Sequence, residues 1–217
     1  MASPTGKPRI LVFDLDGTLI DSAPDLAQAV NALLAEFGKP PLAEAAIRPM
    51  IGDGSRLLLA RALAASGIDT PADDVFDRFM VHYLAFAADK TKVYPDVPET
   101  LAALQARGHP LGVCTNKPFA PTERVLEAFD LARFFTAVIG GDSLPQRKPQ
   151  PEPLLKTIEE LGGGPAAMVG DSANDILCAR AAGVPGILIP SDYGQPATEA
   201  DLKIARFAEL PNAVERL

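Results

Sequence analysis

Ile10, Leu11, Val12 and Phe13 are four apolar residues in a row, and acid follows at once with Asp14, Asp16 and Asp21. A short run without polar members cannot have one wet face, so it reads as a strand covered on both sides, the signature of a parallel sheet interior. The expected strand spans Arg9 to Leu15. The same pattern returns three times. Leu111–Cys114 precedes Thr115 and Asn116, Ala137–Ile139 precedes a loop that reaches Lys148, and Ala166–Gly170 precedes Asp171 and Asp175. A further strand is expected over Gly186–Ile189. Helical spacing fills the intervals: Pro98–Arg107, Ala120–Phe129, Pro151–Leu161 and Asp175–Ala182. Alternating strands and helices argue for an α/β fold, a doubly wound parallel sheet with covering helices.

Between the first and second of these strands the texture is helical. Ser22–Phe37 carries a candidate N-cap in Ser22, Pro24 in its first turn and Gly38 as its stop. Short helix Leu42–Met50, a helix ending at Gly67 and a helix over Pro71–Ala88 follow. The last places Val75, Phe76, Phe79, Tyr83 and Phe86 at helical spacing, which predicts a small core of their own rather than a ligand box. The expectation is a Rossmann-like core, residues 1–20 and 92–217, interrupted by a helical domain, residues 21–91. The crossings fall near Ile20–Asp21 and Thr91–Pro95.

With 217 residues, 47% apolar and 22% charged, the chain can bury a substantial core. A net charge of -8 with no basic stripe disfavours nucleic-acid and membrane-surface partners. No apolar stretch approaches a membrane span, and "MASPTGKPR" has no apolar signal core. Cys114 and Cys178 lie in apolar segments with no neighbouring Cys or His, which suits a reduced, cytoplasmic protein. His82, His109, Arg56 and Arg61 read in isolation as surface or packing residues.

In doubly wound sheets ligands bind at the carboxyl ends of the strands. Asp14, Asp16, Thr115, Asn116, Lys148, Asp171 and Asp175 would gather on that edge. Like carboxylates at about 4 Å repel by roughly 4 kcal/mol per pair at an effective dielectric near 20. A hard divalent cation with oxygen ligands removes that cost, and Mg²⁺ suits a site that also takes a phosphate. Thr115 and Lys148 suit phosphoryl oxygens. Gly17 permits a tight bend, and Thr18 would hold it. Taken singly, each of these motifs has a plain turn or capping explanation.

Taken together and in this order, "DLDGT", "CTN", "KP" and "GDSAND" resemble the four motifs of the haloacid dehalogenase superfamily of phosphatases, over essentially the whole chain. The helical insertion resembles the small cap of one subclass. "DLDGTLIDSAPDL", "VCTNKP", "GGDSLPQRKPQPEPLL" and "VGDSANDILCARAAGVP" look like bacterial phosphoglycolate phosphatases. The resemblance implies Mg²⁺-dependent hydrolysis of a small phosphorylated metabolite, 2-phosphoglycolate. Asp14 is implied as the nucleophile that forms an aspartyl-phosphate, and Asp16 as general acid and then base. Thr115, Asn116 and Lys148 are implied to bind phosphate. Asp14, the carbonyl of Asp16, and Asp171 are implied to ligate the metal, with Asp175 and Thr18 behind them.

Two departures from the resemblance stand out. Asp96 in "YPDV" replaces a glycine common in such proteins, and "IPSDYGQPATEADLKI" lacks a tyrosine-glycine-tyrosine wording. Other readings remain at this stage: a phosphatase for another small ester, a sugar-phosphate mutase, or a receiver-like phosphoacceptor that does not turn over. Asp16 disfavours a dehalogenase. For the substrate's carboxylate, "IGDGSR" is the candidate, with Gly52 and Gly54 opening a helix N-terminus and Arg56 adding charge. A plain inter-helix turn is the alternative, and Asp53 works against anion binding unless it turns away.

Overall fold

The structure, a computed structural model, describes residues 8–194 and 199–217. The start of "MASPTGKPR" and part of the segment after the last expected strand, residues 195–198, lie outside them. β1 (Ile10–Phe13) is buried at every position and lies between β4 (Leu111–Cys114) and β6 (Ala166–Gly170), parallel to both. β5 (Ala137–Ile139) pairs with β4, β7 (Gly186–Leu188) with β6, and β8 (Leu202–Lys203) with β7. The resulting sheet is wholly parallel, in the order β5-β4-β1-β6-β7-β8. Chain progression runs outward on one side of β1, then returns and runs outward on the other. The crevice flanking β1 is therefore a topological switch point.

Both faces of the sheet are covered, which is why its central strands carry no polar residue. Leu11, Phe13, Val113 and Val169 face α5 (Val97–Ala106), α6 (Phe119–Ala128) and α9 (Leu210–Val214) through Leu101, Leu104, Val125 and Leu210. Alternate residues Ile10, Val12, Cys114 and Met168 face α7 (Glu152–Glu160) and α8 (Ala173–Ala181) through Leu154, Ile158 and Cys178. Burial pushes the Cys114 thiol up to about 12, in keeping with an inert core residue.

The helical block comprises α1 (Ala23–Glu36), α2 (Glu44–Ile47), α3 (Ser55–Ala65) and α4 (Ala72–Phe86). It has its own core, in which Val75, Phe79 and Tyr83 form an i, i+4 ridge against Leu26, Val30, Leu33 and Leu34. Phe79 and Tyr83 are fully buried, whereas Phe76 and Phe86 pack at its margin. The block leaves and rejoins the sheet domain through an antiparallel pair, β2 (Ile20–Asp21) with β3 (Lys92–Val93). Asp25, wholly buried in the first turn of α1, accepts from the Lys90 and Thr91 amides at 2.7 and 2.9 Å and from Thr91 Oγ1 at 2.6 Å. That carboxylate straps the outgoing and returning chains together.

Several details differ from the sequence reading. Ser22 stands at the N-cap of α1, but its side chain makes no capping bond and donates instead to Asp16. The second helix is only Glu44–Ile47 and continues as a 3₁₀ turn, Arg48–Met50, because Pro49 has no amide hydrogen to extend it. β2, β3 and β8 are two residues each, too short to show a period. Asp96 sits in the left-handed region at φ 66, where a glycine would be unstrained. Among the described residues no helix is long and apolar enough to cross a membrane.

Asp25→Ala leaves buried donors without acceptors, each worth about 1–3 kcal/mol. Equilibrium urea unfolding should show a loss of about 3 kcal/mol, and a loss below about 1 kcal/mol would show that the strap contributes little.

Candidate active site

The amide of Asp14 still donates to Val169 O at 2.9 Å, so Asp14 stands at the last rung of the sheet. Beyond it the chain folds back, with the Leu15 carbonyl accepting from the Leu19 amide at 2.9 Å and the Gly17 amide donating to Ile20 O at 2.9 Å. Leu15 points into the core and is fully buried. Asp14 and Asp16, one residue to either side of it, line a cavity at the sheet edge. Gly17 makes the turn possible in two ways. Its φ is +87, and a Cβ there would come within 2.4 Å of Asp171 Oδ2.

Five strand ends meet at this point, those of β1, β4, β5, β6 and β7. Lys148 Nζ lies 3.0 Å from Asp14 Oδ1 and 2.6 Å from Asp175 Oδ1. The other oxygen of Asp175 accepts from Ser172 N at 3.0 Å and Ser172 Oγ at 2.6 Å, a capping box that fixes the start of α8. Gly170 lets Asp175 approach, since a Cβ there would lie 2.3 Å from its Cγ. Asp171 accepts from Thr18 Oγ1 at 2.9 Å and from the Ser191 hydroxyl. Thr115 follows β4 and is buried beside Asp14 and Asp16 in the cavity wall.

The acids outnumber the cation that serves them. Carboxylate oxygens of Asp14, Asp171 and Asp175 lie within 4.8 Å of one another, all buried. Burial, with Asp175 adding to it, raises Asp14 to about 7 even though Lys148 and the Leu15 amide pull it down. Burial also holds Asp171 well above the usual carboxylate range, and the charges of Asp175 and Asp14 push it further. Burial alone would lower Lys148, but Asp14 and Asp175 outweigh it and keep the ammonium charged. An oxygen-only cluster with surplus negative charge is the donor set of a hard divalent cation, and no His or Cys is among its members. The cluster can hold a metal ion.

Two expected contributors have side chains committed to other partners. The Asn116 side-chain amide donates to Gly52 O and Lys148 O, both at 3.0 Å, so at the cavity wall it ties two loops together. Arg56 is exposed, pairs with Asp73 and lies over the Phe76 ring at 3.9 Å. It points away from the cavity because that acid and ring stand on the neighbouring α4. Gly52 and Gly54 do line the cavity, with φ of +111 and +94. Asp53 between them turns aside, held by Arg61 at 2.5 Å and by Asn174 Nδ2 at 2.7 Å. His82 pairs with Glu36 on the surface of the helical block, and His109 bonds the backbone of Arg9.

Several site residues escape the sequence reading. Lys117 Nζ donates to both oxygens of Asp16, at 2.9 and 3.2 Å, and its side chain is only 1% exposed. Ser22 Oγ donates to the same Asp16 at 2.5 Å. Tyr193, beyond β7, donates to Asp21 and accepts from the Ala23 amide, while Arg48 stacks over its ring and pairs with Asp21. The available signal was positional. Lys117 and Ser191 both follow strand ends on the functional edge, but a lysine or serine there is ordinarily solvated.

The raised Asp14 carboxyl carries a definite sign. In metal-free protein the folded state keeps a proton that the unfolded state releases, so this contribution is complete below 3.8 and is lost as pH rises towards about 7. Denaturation of chelator-treated protein should therefore show the wild type losing stability relative to Asp14→Asn across that window. A constant difference between the two would contradict the electrostatic reading.

The arrangement has counterparts. A family model described as haloacid dehalogenase-like hydrolase matches residues 8–183. A phosphoglycolate phosphatase of Rhodospirillum rubrum is 46% identical over 198 residues, covering 87% of this chain and 82% of that protein. One from Caulobacter vibrioides is 43% identical over 211 residues, 94% of this chain and 89% of that protein. Among solved structures, a predicted phosphoglycolate phosphatase of Haemophilus somnus 129PT superposes with a TM-score of 0.90 at 31% identity, covering 97% of this chain and all of that one. CbbY from Rhodobacter sphaeroides in complex with phosphate shares the fold, with a TM-score of 0.82 at 24% identity over 97% of this chain and all of that one. With the family model spanning most of its length and relatives this similar along it, the chain belongs to the haloacid dehalogenase-like hydrolases, as a phosphoric monoester hydrolase.

Proposed function

We propose that the enzyme hydrolyses 2-phosphoglycolate to glycolate and inorganic phosphate, in the cytoplasm, with Mg²⁺ as cofactor. The observation that carries the reading is the convergence of Asp14, Asp16 and Thr115 on one small cavity whose roof is the helical block, with Lys148 directly behind Asp14. Asp14 stands at a strand end with Lys148 against it, as a carboxylate nucleophile facing a phosphate dianion requires. The relatives named phosphoglycolate phosphatase support the substrate. The cavity, about 20 Å³, has room of the order of a single water, so the helical block must lift for any phosphate ester to enter.

In this reading residues 21–91 are a cap over a core of residues 1–20 and 92–217. Asp14 attacks the phosphorus, the ester P–O bond breaks, and Asp16 gives its proton to the departing alkoxide oxygen. Asp16 then takes a proton from water as that water attacks the phosphorus of the aspartyl-phosphate. The P–O bond to Asp14 breaks, releasing phosphate and restoring the carboxylate. Thr115 and Lys148 hold phosphoryl oxygens throughout. Asp14, the carbonyl of Asp16, and Asp171 would hold Mg²⁺, which when bound offsets the acids' repulsion of the phosphate. Asp175 acts from behind, since both its oxygens are already engaged by Lys148 and Ser172.

Phosphate release should be measured over a panel of small phosphate esters with and without Mg²⁺. The expected result is steady turnover of 2-phosphoglycolate, abolished by EDTA and restored by Mg²⁺ but poorly by Ca²⁺, whose longer and more numerous bonds misplace the nucleophile. A chelator-insensitive enzyme would contradict the metal. A stoichiometric burst without turnover would favour a phosphoacceptor module. Asp14→Asn should fold normally and lose at least about 10³-fold in kcat; a loss within about tenfold would remove Asp14 from the nucleophile's role.

A further inference from the structure

We infer that Lys117 is the specificity residue that binds the carboxylate of the substrate, a reading that rests on the proposed phosphoglycolate activity. Phosphoglycolate carries two anions. The phosphoryl end is served by Lys148 and Thr115, and the carboxylate needs a cation of its own inside the cavity. Among the described residues that line the cavity, Lys117 alone is cationic. The cap's four arginines are all committed elsewhere: Arg48 to Asp21, Arg56 to Asp73, Arg61 to Asp53 and Arg78 to Glu36. Arg147, at the cavity's outer side, donates to Gly141 O.

The chemistry of the substrate fixes where such a cation must stand. The leaving oxygen and the carboxylate of phosphoglycolate are separated by a single methylene. The group that protonates the leaving oxygen and the cation that holds the carboxylate must therefore be neighbours. Asp16 and Lys117 are in contact, at 2.9 Å. An ammonium has three N–H donors, so Lys117 can keep Asp16 oriented and still donate to a second carboxylate.

The cavity walls position that ammonium. It lies 5.1 Å from the centre of the Tyr83 ring, a fully buried residue of cap helix α4. The cation is thus read by a face of the cap, while its backbone belongs to the core loop after β4. Ser55, at the start of α3, is buried in the same wall. The anion-binding charge sought in the cap is in this arrangement supplied by the core, and the cap closes over it.

The test compares 2-phosphoglycolate with its neutral amide, which has the same shape and the same scissile bond. Wild type should favour the acid in kcat/KM by about 100-fold or more, the scale of a desolvated charge contact. Lys117→Met keeps the stem and removes the ammonium, and it should collapse that preference to within about threefold, with the larger loss on the acid. Lys117→Arg should retain most of the preference. Equal losses on acid and amide in Lys117→Met would show that Lys117 serves Asp16 alone and would overturn the inference, as would a wild type indifferent to the charge. A wild type that hydrolyses other esters but neither of these two would instead overturn the phosphoglycolate reading on which it rests. If Lys117→Met is too slow to assay, calorimetric binding of 3-phosphonopropionate and its amide to wild type and variant gives the same comparison without turnover. Circular dichroism of each variant separates loss of fold from loss of recognition.

Discussion

The ammonium of Lys148 is wedged between Asp14 and Asp175, fully out of water, and the rest of the site is arranged around that pairing. Asp171 stands within 4.8 Å of both acids, and one positive charge cannot neutralise all three. Such a cluster survives in a folded protein only with further compensation, from hydrogen bonds, a retained proton or a bound cation. The hydrogen bonds are present: Leu15 N to Asp14, Thr18 and Ser191 to Asp171, Ser172 to Asp175. The donors come from three different strand-end loops, those after β1, β6 and β7. The electrostatic problem therefore forces the loops to assemble together, and the assembled loops are the site. Gly17 and Gly170 are small for the same reason, since a methyl group at either would occupy the place of a carboxylate.

The same economy joins the helical block to the sheet. Asp25 ties the outgoing chain to the returning one, Asp21 meets both Arg48 and Tyr193, and Asn116 from the loop after β4 and Asn174 from the first turn of α8 reach Gly52 of the block. Gly194 comes so close to Ile51 that a Cβ would lie 2.7 Å from its carbonyl oxygen. These contacts are mostly polar, and each side keeps its own apolar cluster apart from Tyr193, which packs into the block's, and Ala87, which packs into the sheet's. Two hydrophobic units joined by a short strand pair and a polar seam can separate without opening either core, which suits a cavity too small to admit its ligand when closed.

The sheet is legible in the sequence because its central strands are buried on both faces. A short apolar run ending in polar side chains leaves little choice, and β1, β4 and β6 follow from that alone. The helices follow from their stops and their 3.6-residue spacing. What escapes is whatever has no period: two-residue strands such as β2, β3 and β8, and the helix that Pro49 turns into a 3₁₀ bend. The acids and Lys148 are legible for a related reason, since charge at the end of an apolar run has few harmless explanations. Ser22 shows the limit. Its position marks a helix start, and the capping preference is real, but the hydroxyl is drawn to Asp16, a partner six residues back whose proximity only the folded turn creates.

Arg56 and Lys117 mark the same limit for specificity. Arg56 looks like the anion-binding charge because it follows a glycine-bracketed turn, and a helix N-terminus there would favour an anion. The fold hands it to Asp73 and Phe76 on the adjacent helix, at a distance in sequence where no local pattern predicts pairing. Lys117 looks like an ordinary loop lysine, yet the loop after β4 carries it inward beneath Tyr83. A buried lysine is tolerated only beside an acid, and the acid it finds is Asp16. Placement beside one charge and under an aromatic face is decided by how the cap seats on the core, which is a property of two packed surfaces and not of any one segment of sequence. On the proposed reading, catalytic chemistry is written at strand ends, where pattern reveals it, and recognition in the seam between the helical block and the sheet domain, where only the three-dimensional structure does.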